Sequence, residues 1–268
     1  MKLVIGRQTG KSFVLLGTAI SQQFVIMYSL SRQGMSVFIN HVGQRVSTSV
    51  RVFKLLFDNN VSNQLYVILA SITMSMTAQY ISPLYTTAVS EVDRNSGKHC
   101  YVAYDDFSKH AVSFRQLCLF LRKPAGREAF PSDVFYLHAR ILERSCCLNH
   151  INSLGSLMSL PVIETLSNDL SAYIATNVIS ITDGQLYLDV VLFGTGNCPA
   201  ISIDKSVSRV GTKSLDILFR SISFRIYILI SDYKQEVEVA TKTELFKVRQ
   251  RRYINIISVF VQRSSCDR

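Results

Sequence analysis

Short apolar runs alternate with longer stretches of helical periodicity along most of this chain. Leu3-Val4-Ile5 is a first apolar run, and the stretch from Phe13 to Leu30 after it reads as a helix. Ser36–Ile39 is a short strand closed by His41-Val42-Gly43. In Ser47–Phe57 the apolar residues Val50, Val52, Phe53, Leu55 and Leu56 fall mostly at helical spacing. Leu65–Ala70 is a continuous apolar run, as a buried parallel strand requires. A helix is predicted from Thr77 to Val92, a turn at Asp93–Gly97, and a strand at Cys100–Asp106 that ends in two carboxylates. Further helices are predicted over Phe107–Leu121 and from Val134 to Cys147, the second capped by Ser132 or Asp133. Leu157–Thr165, Asn177–Thr182 and Leu186–Leu192 read as β runs, the last two flanking the hairpin dipeptide Asp183-Gly184.

Strands alternating with helices predict an α/β fold with a mainly parallel central sheet covered on both faces. Ligands of such sheets bind at the carboxyl ends of the strands. That rule directs attention to the segments that follow Ile5 and Tyr104.

After Ile5 comes Gly6-Arg7-Gln8-Thr9-Gly10-Lys11-Ser12. Strand, glycine loop, Gly-Lys-Ser and helix is the layout of a phosphate-binding loop. Glycines let several N–H groups converge on one point, and the helix N-terminus adds its positive dipole end. Lys11 would reach the terminal phosphates, and Ser12 would offer its hydroxyl to Mg²⁺. The spacing departs from the usual motif. Three residues separate Gly6 from Gly10 instead of four, and Ile5 occupies the place of the first glycine. A plain glycine turn capping a helix is the alternative, and this stretch favours the phosphate loop over it.

Asp105 ends the next informative strand. Beside a phosphate loop, a strand-end Asp holds Mg²⁺ or its water from the side opposite Ser12. Asp106, followed by Phe-Ser-Lys, also fits a helix N-cap. Arg209 stands in the small-residue stretch Ser206–Gly211, read as a loop, where a solvated surface charge is the ordinary expectation.

Composition narrows the class. The 268 residues suffice for one large domain or two small ones, and 48% hydrophobic against 18% charged is a globular balance. A net charge of +10 points to an anionic partner without choosing among nucleic acid, phosphate ligand, acidic lipid and acidic protein. No secretory leader is expected, since Met1 runs into the first strand. The most apolar stretches, near Phe13–Leu30 and Ile222–Ile230, are interrupted by Ser21, Gln22, Gln23 and Arg225, so no membrane span is predicted. Six scattered cysteines, with no Cys-x-x-Cys pair, read as thiols in a reducing compartment.

From Gly6 to Gly211 the chain resembles the alpha subunits of the ATP synthase catalytic sector. The shared strings are long and run in family order: residues 6–11, Gly43-Gln44-Arg45, Gly97-Lys98-His99, Tyr104-Asp105-Asp106, Gly126–Ala129 and Asp133–His138. Leu142-Glu143-Arg144, Leu160–Thr165, Leu170–Gln185 and Ser206–Gly211 complete them. The resemblance implies a RecA-like P-loop nucleotide-binding domain over residues 1–214, followed by a short, mostly helical C-terminal remnant over 215–268. It implies ATP or ADP with Mg²⁺ as ligands, held by Gly6, Arg7, Gln8, Thr9, Gly10, Lys11, Ser12, Gln44 and Asp105, with Ser12 and Asp105 on the metal. It also implies an alternating ring with beta subunits around a central gamma stalk, peripheral to the mitochondrial inner membrane on the matrix side. Gln44 falls where catalytic beta subunits have a water-polarising glutamate, so this chain is expected not to turn ATP over by itself. Arg209 matches the arginine lent to the neighbouring catalytic site.

Departures accompany the resemblance. The family has one more residue between Gly6 and Arg7, an arginine where this chain has Cys198, and Gly-Leu in place of Asp204-Lys205. The resemblance does not extend to the family's N-terminal barrel and fades after about Lys213. A fragment of a longer or split subunit, a fast-evolving organelle-encoded version and a non-functional copy all fit these departures. A nucleic-acid-dependent motor using Lys247–Arg252 is the rival reading; no aromatic stacking platform accompanies that basic cluster, and no nucleic-acid partner is expected.

Overall fold

A computed structural model describes residues 2–6, 9–28, 35–59, 65–149, 151, 153–165, 169–196, 198–214 and 217–241. Arg7, Gln8 and the Lys247–Arg252 cluster lie outside the described residues. The chain divides into two compact units, 1–209 and 210–268.

The first unit is built on a seven-stranded sheet. Its strands are β1 (Leu3–Ile5), β2 (Ser36–Gln44), β3 (Leu65–Ser71), β4 (His99–Asp105), β5 (Ser156–Ile163), β6 (Gly184–Leu188) and β7 (Ile201–Ser208). They lie in the order β3-β2-β4-β5-β1-β6-β7. The first six are parallel and only β7 runs antiparallel, against β6. The sheet is therefore mostly parallel, as the alternating pattern predicts.

Side chains alternate across the strands and feed two apolar cores. Tyr101 and Ala103 of β4 join Val37 and Ile39 of β2 beneath α1 (Lys11–Tyr28) and α2 (Val46–Asp58). Cys100, Val102 and Tyr104 point the other way and meet α4 (Phe107–Phe120), α5 (Val134–Leu142) and α6 (Tyr173–Ile181). Tyr80, Leu84 and Val89 of α3 (Met76–Asn95) pack on that second core. A short α7 (Val190–Gly194) follows β6.

Several local expectations differ from the structure. Residues 177–181 are helical, not extended, with Thr182 as the C-cap: they form the second half of α6, whose Ile174 and Val178 lie one turn apart and are buried in the core. Tertiary burial there overrides the β preference of branched residues. Asp183-Gly184 consequently joins a helix to a strand, and Leu186–Leu192 splits between β6 and α7. Leu65–Ala70 is a parallel strand but an edge one, so much of it is only half-buried. The helix after Asp133 stops at Leu142, and Asp133 makes no side-chain cap bond. Ser206–Ser208 belong to β7 and are not loop.

In the second unit a 3-10 turn at Gly211–Ser214 precedes α8 (Ile217–Thr241). Its Ile217, Leu218, Phe219 and Phe224 are exposed apolar side chains.

Candidate functional site

The carboxyl ends of β1, β2, β4 and β5 bring four sequence segments to one edge of the sheet. Ile5 pairs with Ile163 and His41 with Asp105, which sets the level of each segment that follows. Gly6 N–H donates to the Ile163 carbonyl at 3.3 Å, tying the start of the glycine loop to the end of β5. A Cβ at Gly6 would collide with Thr9 Oγ1 and Leu188 Cβ, so only glycine fits between Thr9 and the end of β6. Gly10 has φ +84°, the left-handed conformation that lets the chain turn into α1. Val14 N–H then donates to the Gly10 carbonyl at 3.1 Å, closing the first helical turn. Helix α1 thus begins where the loop ends, with Lys11 and the half-buried Ser12 in its first turn.

Lys11 is 8% exposed and its Nζ lies 2.8 Å from Glu164 Oε1, just past the end of β5. Glu164 is itself anchored: its N–H donates to Ser108 Oγ of α4 at 2.9 Å. A bound phosphate would compete with this carboxylate for the ammonium group.

Asp105 is 3% exposed at the end of β4. Gln44 Nε2 donates to its Oδ1 at 3.3 Å, and His41 Nδ1 stands 3.7 Å from its Oδ2. Burial lowers the His41 pKa against the raising effect of Asp105, and Lys109 lowers it further. The 3.7 Å approach is therefore a polar contact of a neutral imidazole and not a salt bridge. Asp106, joined to Asp105 by a cis peptide, is the N-cap of α4: Lys109 N–H donates to its Oδ1 at 2.7 Å. Burial pushes the Asp106 carboxyl up to about 6, against the nearby Lys109 ammonium at 3.6 Å.

The two adjacent carboxylates thus have separate jobs. Asp106 is spent on the helix cap, while Asp105 faces the α1 side of the sheet beside Gln44. The carboxyl edge of the sheet thus gathers an ammonium group, a hydroxyl, a buried carboxylate and the amide that donates to it.

Arg209 is not part of this cluster. Strand β7 runs antiparallel, with Ile201 opposite Leu188 and Ser208 opposite Gly184. Arg209 therefore emerges at the amino ends of the parallel strands, across the sheet from the glycine loop. It is exposed, its backbone N–H donates to the Asp183 carbonyl at 2.8 Å, and its Nη1 donates to the Ser180 carbonyl at 3.3 Å.

Residues 1–208 match the model of the ATP synthase alpha/beta family, nucleotide-binding domain. The chain belongs to the ATP synthase alpha/beta family. Among its relatives is the mitochondrial ATP synthase subunit alpha of Trypanosoma brucei brucei, 41% identical over 235 residues. The ATP synthase subunit alpha of Neorickettsia sennetsu (strain ATCC VR-367 / Miyayama) is 40% identical over 235 residues. Each alignment covers 87% of this chain, which spans 40% of the first relative and 46% of the second. A mostly parallel α/β sheet with a loop-to-helix junction at its carboxyl edge agrees with a nucleotide-binding domain of this family.

Two site residues carry no assignment from the motif reading. Glu164 ends the apolar run Leu157–Ile163 in the way Asp105 ends its own strand, and that shared signal was available in the sequence. His41 sits within a strand that continues to Gln44, so its apolar neighbours conceal it as a mere strand terminus. The buried oxygen Thr9 Oγ1 and both His41 nitrogens have no hydrogen-bond partner. Such orphaned polar atoms fit a site that takes a polar ligand.

Proposed function

We propose that this chain serves as the alpha subunit of an ATP synthase, binding Mg-nucleotide without hydrolysing it and lending Arg209 to a neighbouring catalytic beta subunit. The observation that carries the reading is the placement of two cationic groups on opposite edges of one sheet. Lys11 belongs to the chain's own phosphate loop. Arg209 lies too far across the sheet to serve that loop and is open to a neighbour.

At the proposed nucleotide site, the backbone N–H groups at the start of α1 and the Lys11 ammonium hold the phosphates. Ser12 and Asp105 would hold Mg²⁺, which when bound there would offset the charge of the phosphates. Gln44 orients Asp105 by donating to it, yet its amide cannot take a proton from water at neutral pH. Water near the terminal phosphate is therefore not activated.

The proposed setting is an alternating ring with beta subunits around a gamma stalk, at the matrix face of the mitochondrial inner membrane. Among the described residues, no helix is long and apolar enough to cross a membrane. Titration with a fluorescent ATP analogue tests the nucleotide site. Lys11→Ala should weaken binding by at least about several-fold, through loss of one charge-assisted phosphate contact. Unchanged affinity would refute the site.

A further inference from the structure

His41 and Asp105 stand in direct register on neighbouring parallel strands. Alternation puts both on the α1 side of the sheet, level with the end of the glycine loop's strand. His41 is 2% exposed, and neither ring nitrogen has a hydrogen-bond partner. Leaving a buried polar atom unpaired costs about 1–3 kcal/mol. The adjacent Asn40 shows the usual remedy, since its amide donates to Ser82 Oγ at 2.7 Å on the opposite face. An imidazole with both nitrogens unpaired beside a carboxylate calls for a partner of another kind.

The geometry supplies one. His41 Nδ1 and Asp105 Oδ2 are 3.7 Å apart. Two donors bound to one ion at about 2.1 Å each lie about 3.0 Å apart at a right angle and about 3.4 Å apart at the tetrahedral angle. To share an ion, the observed pair needs about 0.3 Å of closure at the tetrahedral angle and about 0.7 Å at a right angle. Among the described residues no group of three His, Cys, Asp or Glu side chains could hold a metal. An ion here would complete its shell with the Ser12 hydroxyl, water and nucleotide phosphate oxygens.

We propose that His41 is a nitrogen ligand of the nucleotide-bound metal, so that this site prefers a borderline cation such as Co²⁺ or Mn²⁺ over Mg²⁺. Mg²⁺ takes oxygen ligands in strict octahedral geometry and gives up water reluctantly. Imidazole suits later first-row divalent ions, and Co²⁺ stands above Mn²⁺ in the general affinity order. The proposal rests on the nucleotide-binding reading above, and it makes the metal and the nucleotide arrive together.

The test uses the full chain, a fluorescent ADP analogue, and Mg²⁺, Mn²⁺ or Co²⁺ as the added ion. Wild type should bind the Co²⁺ complex at least about tenfold more tightly than the Mg²⁺ complex, a difference of about 1.4 kcal/mol. His41→Ala and His41→Gln should bring the two affinities together by weakening the Co²⁺ complex more than the Mg²⁺ complex. Pulsed electron paramagnetic resonance of the Mn²⁺–ADP complex should show nitrogen coupling that changes when histidines carry ¹⁵N. That reading is made on wild type, so it decides the question even if the variants fold poorly. Mg²⁺–nucleotide binding with no metal preference and no nitrogen coupling would overturn the His41 proposal and leave the nucleotide site standing. Failure to bind the analogue with any ion would overturn the nucleotide reading and this proposal with it.

Discussion

Gln44 gives an amide hydrogen to Asp105 across 3.3 Å, joining the ends of two neighbouring strands. A carboxylate in place of that amide would face Asp105 as a like charge and would be a base. The amide is neither. The purified chain is therefore expected to hydrolyse ATP at background rate even when its site is filled. Steady-state phosphate release measures this. Turnover well above background that disappears in Lys11→Ala would contradict the assignment of a non-catalytic site.

Gly10 is the backbone hinge between loop and helix, at φ +84°. A side chain there meets an unfavourable left-handed backbone even though only Phe13 and Phe193 atoms, at 3.9 Å, approach its Cβ position. Gly10→Ala should destabilise the domain by about 1–2 kcal/mol and weaken nucleotide binding, because α1 no longer starts at the right angle. Chemical denaturation beside analogue titration checks both; a variant matching wild type in each would mean the turn tolerates a Cβ.

His110 and His138 form a buried pair in the core behind the site. Nδ1 of the first lies 3.4 Å from Nε2 of the second, and the His138 ring stacks on Phe107 with centroids 4.9 Å apart. Burial lowers His110 to about 4 and His138 well below its ordinary value, the latter also by the nearness of His110. Both groups bind protons more readily once unfolded. Stability from their neutrality is present above pH 6.5 and is lost as pH falls from 6.5 towards 4, with His110 contributing on the order of 3 kcal/mol. His138→Phe keeps the stack and removes one titrating group, so its melting temperature should fall less steeply over that window. Parallel pH profiles of variant and wild type would exclude the pair as the source.

The sequence makes the sheet's main outline readable because its apolar runs are bounded by turns and strand-end carboxylates. Leu3–Ile5 and Cys100–Asp105 are strands, as their patterns predict, and Asp106 caps α4 as its neighbours Phe-Ser-Lys suggest. Helix α6 escaped the pattern because branched residues dominate it, and only packing of Ile174 and Val178 against the core decides its conformation. The Lys11–Glu164 contact joins residues 153 positions apart, so it depends on strand order, which local periodicity does not contain. His41 was hidden for the same reason: its significance comes from Asp105 on the next strand.

Arg209 and the glycine loop occupy opposite edges of one sheet, and this separation is the basis of the proposed work across a subunit boundary. The deciding measurement is steady-state ATP hydrolysis by a ring assembled with catalytic beta subunits, beside nucleotide affinity at the beta sites. Arg209→Lys should leave affinity nearly intact and cut turnover by about 10³-fold or more, because a lysine point charge cannot bridge two phosphoryl oxygens as a planar guanidinium does. Unchanged turnover would make Arg209 an ordinary surface charge, and a joint loss of affinity and turnover would place it in the interface, not at the transition state.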